Sequence, residues 1–103
     1  MNLSDNQCME CEALMRFLVK VGEWPRTNGM KDVVRGYVKE GKDKAFQILR
    51  IYNWSTDGKW DGFVGDAERL FKEWEKEKDF LMLDLILEEA NSKGRDMREG
   101  QSK

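Results

Sequence analysis

The chain contains no histidine. That absence removes serine–histidine and cysteine–histidine nucleophiles, imidazole acid–base catalysis and histidine metal ligation together. Cysteine is nearly absent too, with only Cys8 and Cys11, in the pattern Cys8-Met9-Glu10-Cys11. A closed zinc site needs four ligands, so metal here requires a second copy of the chain or carboxylates to complete the set. A redox CxxC expects a thioredoxin-like βαβ context, which this sequence does not offer. At a spacing of three on a helix, both thiols can face the core as small apolar groups. Neither a Walker pattern nor a GxGxxG following a strand occurs. No run of eighteen apolar residues exists, so no membrane-spanning helix is expected. The opening MNLSDNQCMEC is polar and acidic, unlike a secretory signal. These absences predict a non-enzymatic protein without cofactor or metal, with free thiols in a reducing cytoplasm.

What is present is helical. From Val64 to Ala90 there is no proline, the only glycine is Gly65, and Leu, Glu, Lys, Met, Phe and Ala dominate. Those residues lose little rotamer freedom on a helix. Ala67, Leu70, Phe71, Trp74 and Leu81 follow the three-four spacing of one helical face. From Phe80 to Leu87 every position except Asp84 is apolar, and a helix apolar nearly all round must be covered on several sides. The rest of the chain, a second copy or a foreign protein has to supply that cover.

Upstream, Ser4 and Gln7 have the form of a capping box opening a helix to about Val21. Cys8, Cys11, Met15 and Leu18 form its stripe, widened by Leu14 and Val21, with Phe17 at the edge and Gly22 placed just past the end. Glu23 to Gly29 reads as loop, around the only proline. A second helix is expected from Met30 to Lys39, where Gly36 is either a weakness or a point of close packing. A third runs from Asp43 to about Trp54, with Ala45, Phe46, Ile48, Leu49 and Tyr52 inward. The long helix then begins between Phe63 and Asp66, and Asp79 could cap a separate helix after a break near Lys78. The fold class is therefore all-α: a small bundle of four helices, five if the break occurs, with a long C-terminal helix. Residues 1–92 form one helical domain and 93–103 a flexible polar tail.

Charge is unevenly spread although the formal net charge is only −2. Nine basic residues face four acidic ones between Arg16 and Arg50, and nine acidic face four basic ones between Asp66 and Glu89. Either the two halves attract at their rims or one of them is an electrostatic docking surface.

Three constellations carry possible function. Trp54 and Trp74 are expected in the core, whereas Trp24 and Trp60 lie in loops, where they either fold back or serve as binding anchors. The second and third helices have helix-turn-helix spacing, but the would-be reading helix is poor in groups for base edges, leaving phosphate contacts from Lys31, Arg35, Lys39, Lys42 and Lys44. Finally, residues 57–68 resemble an EF-hand loop, with Asp57, Asp61, Gly62, Val64 and Glu68 in register. The likeness fails at Lys59, a cation where an oxygen ligand belongs, at Thr56 before the loop, and in the phase of the exit helix.

The run Cys8-Met9-Glu10-Cys11-Glu12-Ala13, leading into a helical hairpin, resembles small phage-encoded helical proteins of unknown function. The resemblance covers about the first half and brings no catalytic or binding residues with it. It implies a phage or mobile-element setting. The reading that follows is a protein-binding module that modulates or inhibits a host protein, through Trp24, Trp60, Phe80, Leu83 and Leu87, with a homodimer through the Phe80–Leu87 block as one form of it. The alternatives are a nucleic-acid-binding regulator using residues 30–54 and a calcium-responsive loop.

Overall fold

The computed structural model describes the backbone of residues 3–101 and the side chains as far as Asn91. Four helices account for it: α1 (Asp5–Gly22), α2 (Asn28–Glu40), α3 (Lys42–Ser55) and α4 (Asp61–Gln101). No strand occurs among the described residues. The backbone of α4 is helical straight through Lys78 and Asp79, so the bundle has four helices. The tail expected to be loose, residues 93–103, falls outside the described side chains.

Local chemistry accounts for each boundary. Ser4 and Gln7 close their box, Gln7 N–H donating to the Ser4 hydroxyl at 3.2 Å and Ser4 N–H to the Gln7 side chain at 3.0 Å. Thr27 caps α2 by accepting from Met30 N–H at 3.1 Å, which starts that helix two residues earlier than the Asn28-Gly29 pair suggests. Gly41 alone, at φ 102°, joins α2 to α3. Contacts of Gly29 with Tyr52 and of Gly36 with Ile48 and Lys44 show these helices side by side and antiparallel, unlike the steeply crossed pair of a DNA-reading motif. Gly36 is thus a point of close packing.

The left-handed residue after α1 is Glu23, at φ 58°, and Gly22 is still helical. Glycine is required there for space: a Cβ on Gly22 would sit 2.7 Å from Leu70 Cδ1 and 2.9 Å from Trp24 Cδ1. The turn at Glu23 sends the chain back over α1, with Trp24 N–H donating to the Leu18 carbonyl at 3.1 Å.

The core collects Leu14, Phe17 and Leu18 of α1, Met30, Val33 and Val34 of α2, Ala45 and Leu49 of α3, and Ala67, Leu70, Phe71 and Trp74 of α4. Phe71 lies at its centre, with ring centroids 4.6 Å from Tyr37 and 5.6 Å from Phe46. The buried face of α1 is rotated from the expected stripe: Phe17 is inside, while Cys8 and Val21 are exposed.

The shape is elongated. A rounded domain of this length has a radius of gyration of about 13 Å, whereas this one measures 16.1 Å, with extents of 56 × 28 × 25 Å. The cause is α4, whose 41 residues outrun helices of 18, 13 and 14. α1 contacts α4 from Gly22 beside Leu70, through Phe17 on Trp74, to Arg16 paired with Glu88 at 2.9 Å.

Candidate protein-docking surface

Beyond Lys78 the contacts of α4 seen among the described residues are with α1, and one helix can cover only one side of another. Leu85 is taken into the core at 5% exposure, with Leu81 and Met82 partly covered. On the other side Phe80 (75% exposed), Leu83 (51%), Ile86 (45%) and Leu87 (52%) stay in water. Phe80, Leu83 and Leu87 follow i, i+3, i+7 spacing, the geometry of a single stripe. Together the four expose roughly 400 Å², the size of the largest apolar patch on an ordinary monomer, which is often functional.

The rim of this stripe is acidic. Asp84 lies within its span, Glu77, Asp79, Glu88 and Glu89 flank it, and all are exposed, as is Lys76 one turn before Phe80. Lys78 is drawn away by Glu10 at 3.1 Å, and that hydrogen bond raises the Lys78 pKa. Beside the stripe, a groove of about 420 Å³ between α1 and α4 is lined by Ala13, Phe17, Val21, Leu81 and Leu85, with Asp84 on its edge.

Of the two outcomes open to the loop tryptophans, both fold back over the core. Trp24 is 2% exposed and packs on Phe63 at 5.2 Å. The doubling back at Glu23 seals it in, so it is a core residue and is withdrawn as a partner anchor. Its indole N–H and that of Trp74 are buried without a partner. Trp60 is partly buried, stacked on Tyr52 at 5.3 Å with Phe63 at its edge. Its ring lies over Gly29, where a Cβ would meet Cη2 at 2.5 Å. Trp60 closes the bundle where α2, α3 and α4 meet, and presents only part of its surface.

Trp54 is the converse. Sequence spacing puts it in the core, but it is 85% exposed, beside Ile51 at 58%. At 100° per residue, Trp54 stands about 180° from Ala45, which faces α2 and α4. Arg50 is exposed next to them. Ile51 also lines an open groove of about 710 Å³ with Arg35, Lys39, Ile48, Tyr52 and Leu3, whose acidic members are Asp32 and Glu40. Asp32 accepts a hydrogen bond from the Tyr52 hydroxyl, which raises the Tyr52 pKa. Lys31, Arg35, Lys39, Lys42, Lys44 and Arg50 make no ion pair among the described residues; the pairs formed involve Arg16, Arg26, Arg69 and Lys78. The basic middle of the chain is therefore not consumed by the acidic helix, apart from Arg16.

The calcium-loop reading does not survive. Residues from Asp61 onward are already helical, so Gly62 and Glu68 lie within α4 and cannot curl around an ion with Asp57. The segment is a turn: Asp57 and Gly58 adopt left-handed φ of 56° and 82°. The Asn53 side chain pins it, accepting from Trp60 N–H at 2.9 Å and donating to Asp61 Oδ1 at 2.7 Å. No group of three potential metal ligands occurs among the described residues.

The two cysteines are inequivalent. Cys8 is exposed and Cys11 buried, which corrects the expectation that both face the core. Burial, then the neighbouring Cys8 and Glu10, push the Cys11 thiol up to about 11. Tyr37 is also raised, by burial first and then by its hydrogen bond to Glu75. No helix among the described residues is long and apolar enough to cross a membrane. No family model, curated protein or solved structure matches this chain.

Proposed function

We propose that this chain is a non-enzymatic protein-binding module whose contact surface is the outward stripe of α4: Phe80, Leu83, Ile86 and Leu87. The observation that carries the reading is that α4 is apolar on two opposite sides while the chain covers only one. An amphipathic helix gains from burying one face, but leaving a second apolar face in water is a cost with no structural return. A partner laid along the stripe removes that cost. The module acts by occupying a surface of the partner, as small inhibitors do. A cytoplasmic phage or mobile-element setting belongs to the same proposal and rests on the likeness of the first half of the chain.

The test is capture of partners from host lysate by immobilised protein, comparing wild type with Leu83→Asp and with Lys72→Ala as a surface control. Loss of capture with Leu83→Asp alone, together with slowed hydrogen exchange across residues 79–91 in the wild-type complex, supports the reading. Equal capture by all three, or protection elsewhere, refutes it.

A further inference from the structure

The exposed stripe of α4 has an acidic edge on each side. At 100° per residue, Glu77, Asp84 and Glu88 fall within about 40° of one another, on the edge that borders the groove between α1 and α4. Asp79 lies on the opposite edge, beside Ile86. Glu88 is taken by Arg16, whereas Glu77, Asp79 and Asp84 are exposed and make no ion pair among the described residues. No lysine or arginine occurs from Asp79 to Asn91. The nearest cations of α4 are Lys78, which is engaged by Glu10, and Lys76, which lies on the line of the stripe one turn before Phe80. Across the groove α1 contributes Lys20 and Arg16, the latter held by Glu12 and Glu88.

From this arrangement we infer that the occupant of the α4 stripe is a cationic amphipathic helix of another protein. Its apolar side chains meet Phe80, Leu83 and Leu87, and lysines or arginines on its two flanks meet Asp79 on one edge and Glu77 and Asp84 on the other. The inference rests on the reading of α4 as a protein-docking surface and names the chemistry of its partner. A helix is the form that fits. The backbone hydrogen bonds of α4 are made within the helix, and no strand among the described residues offers a free edge, so recognition runs through side chains alone. Side chains at i, i+3 and i+7 are met by a second helix packed alongside, ridge into groove. The acidic edges also select against other occupants. Nucleic acid or an anionic lipid surface would bring phosphates against Asp79 and Asp84. A second copy of α4 would bring the same acids to the contact, and like charges across an interface oppose it. Lys76 marks the end of the stripe at which the flank of the partner ceases to be basic.

Fluorescence anisotropy of two dye-labelled peptides, titrated with the full chain, tests this. Both peptides are roughly 18 residues long and carry leucines at i, i+3, i+4 and i+7 spacing; lysines flank the leucines in one and glutamates in the other. The expected result is saturable binding of the lysine peptide, about 10-fold or more tighter than the glutamate peptide. Leu83→Asp and Phe80→Asp should each weaken the lysine peptide about 10-fold or more, although each adds a negative charge to the protein; circular dichroism verifies that both variants fold. Asp79→Asn combined with Asp84→Asn should narrow the gap between the two peptides by about 3-fold or more. Equal or tighter binding of the lysine peptide by Leu83→Asp and Phe80→Asp would mean that net charge alone draws it, and overturns the inference. Equal affinity for both peptides, lost in those two variants, also overturns it and leaves the docking surface standing. So does a wild type whose mass doubles with concentration in sedimentation while Phe80→Asp stays monomeric, because a second copy then fills the stripe. Absence of binding by either peptide up to millimolar protein overturns it too, and the capture experiment with Leu83→Asp then judges the docking surface independently.

Discussion

Leu83 and Leu85 are the same residue type, two positions apart on one helix, and they test whether α4 has two faces. Leu85 is 5% exposed and Leu83 51%. Truncating a buried leucine to alanine removes transfer free energy and leaves a cavity, about 2–5 kcal/mol in total. Leu85 is held by α1 alone and sits next to an open groove, so collapse around it is easy and the lower half of that range applies: about 2–3 kcal/mol. Leu83 has already surrendered half of its area to water and has no walls to form a cavity, so Leu83→Ala should cost under about 1 kcal/mol. For a domain of this size 1 kcal/mol corresponds to roughly 4–8 °C in Tm. Thermal unfolding followed by circular dichroism, at a protein concentration low enough to hold the chain monomeric, should therefore place Leu85→Ala at least about 4 °C below Leu83→Ala. Equal losses would mean that the outward face is covered within the monomer. A larger loss for Leu83→Ala would reverse the inward and outward sides of α4 and remove the basis for the docking surface.

Other consequences follow from single observations. Gly65→Ala should raise stability by about 0.5–1 kcal/mol through helix propensity, because a Cβ there meets nothing within 4 Å, whereas Gly22→Ala should lower it by driving a methyl into Leu70 and Trp24; paired urea titrations read both signs. Asn53→Ala removes both side-chain bonds that pin the α3–α4 turn and should cost about 1–2 kcal/mol, again measured by urea, with no dependence on added calcium. Under native conditions a thiol reagent should modify Cys8 quickly and Cys11 only after unfolding, as counted by mass spectrometry; two fast thiols would refute the burial of Cys11. The folded Cys11 thiol titrates near 11 against an ordinary value of 9.0, so unfolding releases a proton between those values and stability falls as pH rises through that window, by about 3 kcal/mol at most. Tyr37, likewise raised above its ordinary 10.0, adds loss of the same sign at higher pH, and Cys11→Ala should remove only the earlier part of the decline.

The parts of this fold legible in the sequence are those decided by local chemistry. The capping box at Ser4, the Gly41 connection and the face Ala67–Leu70–Phe71–Trp74 need only near neighbours and helical spacing. Residues whose burial depends on where another element ends are less legible. Trp24 looks like a loop residue, and only the left-handed turn at Glu23 returns it to the core. Trp54 looks like a core aromatic at the end of an apolar run, yet it stands opposite Ala45, and counting nine residues at 100° apiece would have revealed it. Asp57, Asp61, Gly62 and Glu68 have the order of a calcium loop because turn residues and helix-start residues are drawn from the same set as ion ligands. Their helical backbone from Asp61 decides between the two. Between Phe80 and Leu87 the run itself carries no phase, being apolar on nearly all sides, but the face set upstream by Ala67, Leu70, Phe71 and Trp74 reaches Leu81 and so makes the inward side legible. α1 takes that side by touching Leu81 and Leu85.

The size of the α4 stripe limits what it can do by itself. Burying roughly 400 Å² of apolar surface contributes about 10 kcal/mol gross, and lost translational and rotational freedom consumes about 4–15 kcal/mol of that before any side chain is ordered. Standard interfaces bury about 800 Å² per partner, so the stripe is near half of one. Whatever it meets must bring a large apolar anchor of its own and charges opposite to Asp79 and Asp84, or the contact has no surplus. The same arithmetic makes the contact brittle. With so little net free energy, a substitution at one anchor should abolish detectable binding outright and not weaken it by degrees, and adding salt should act in the same direction by screening the rim. A stripe that tolerated both Phe80→Ala and high salt would have to be held by some other surface of this chain.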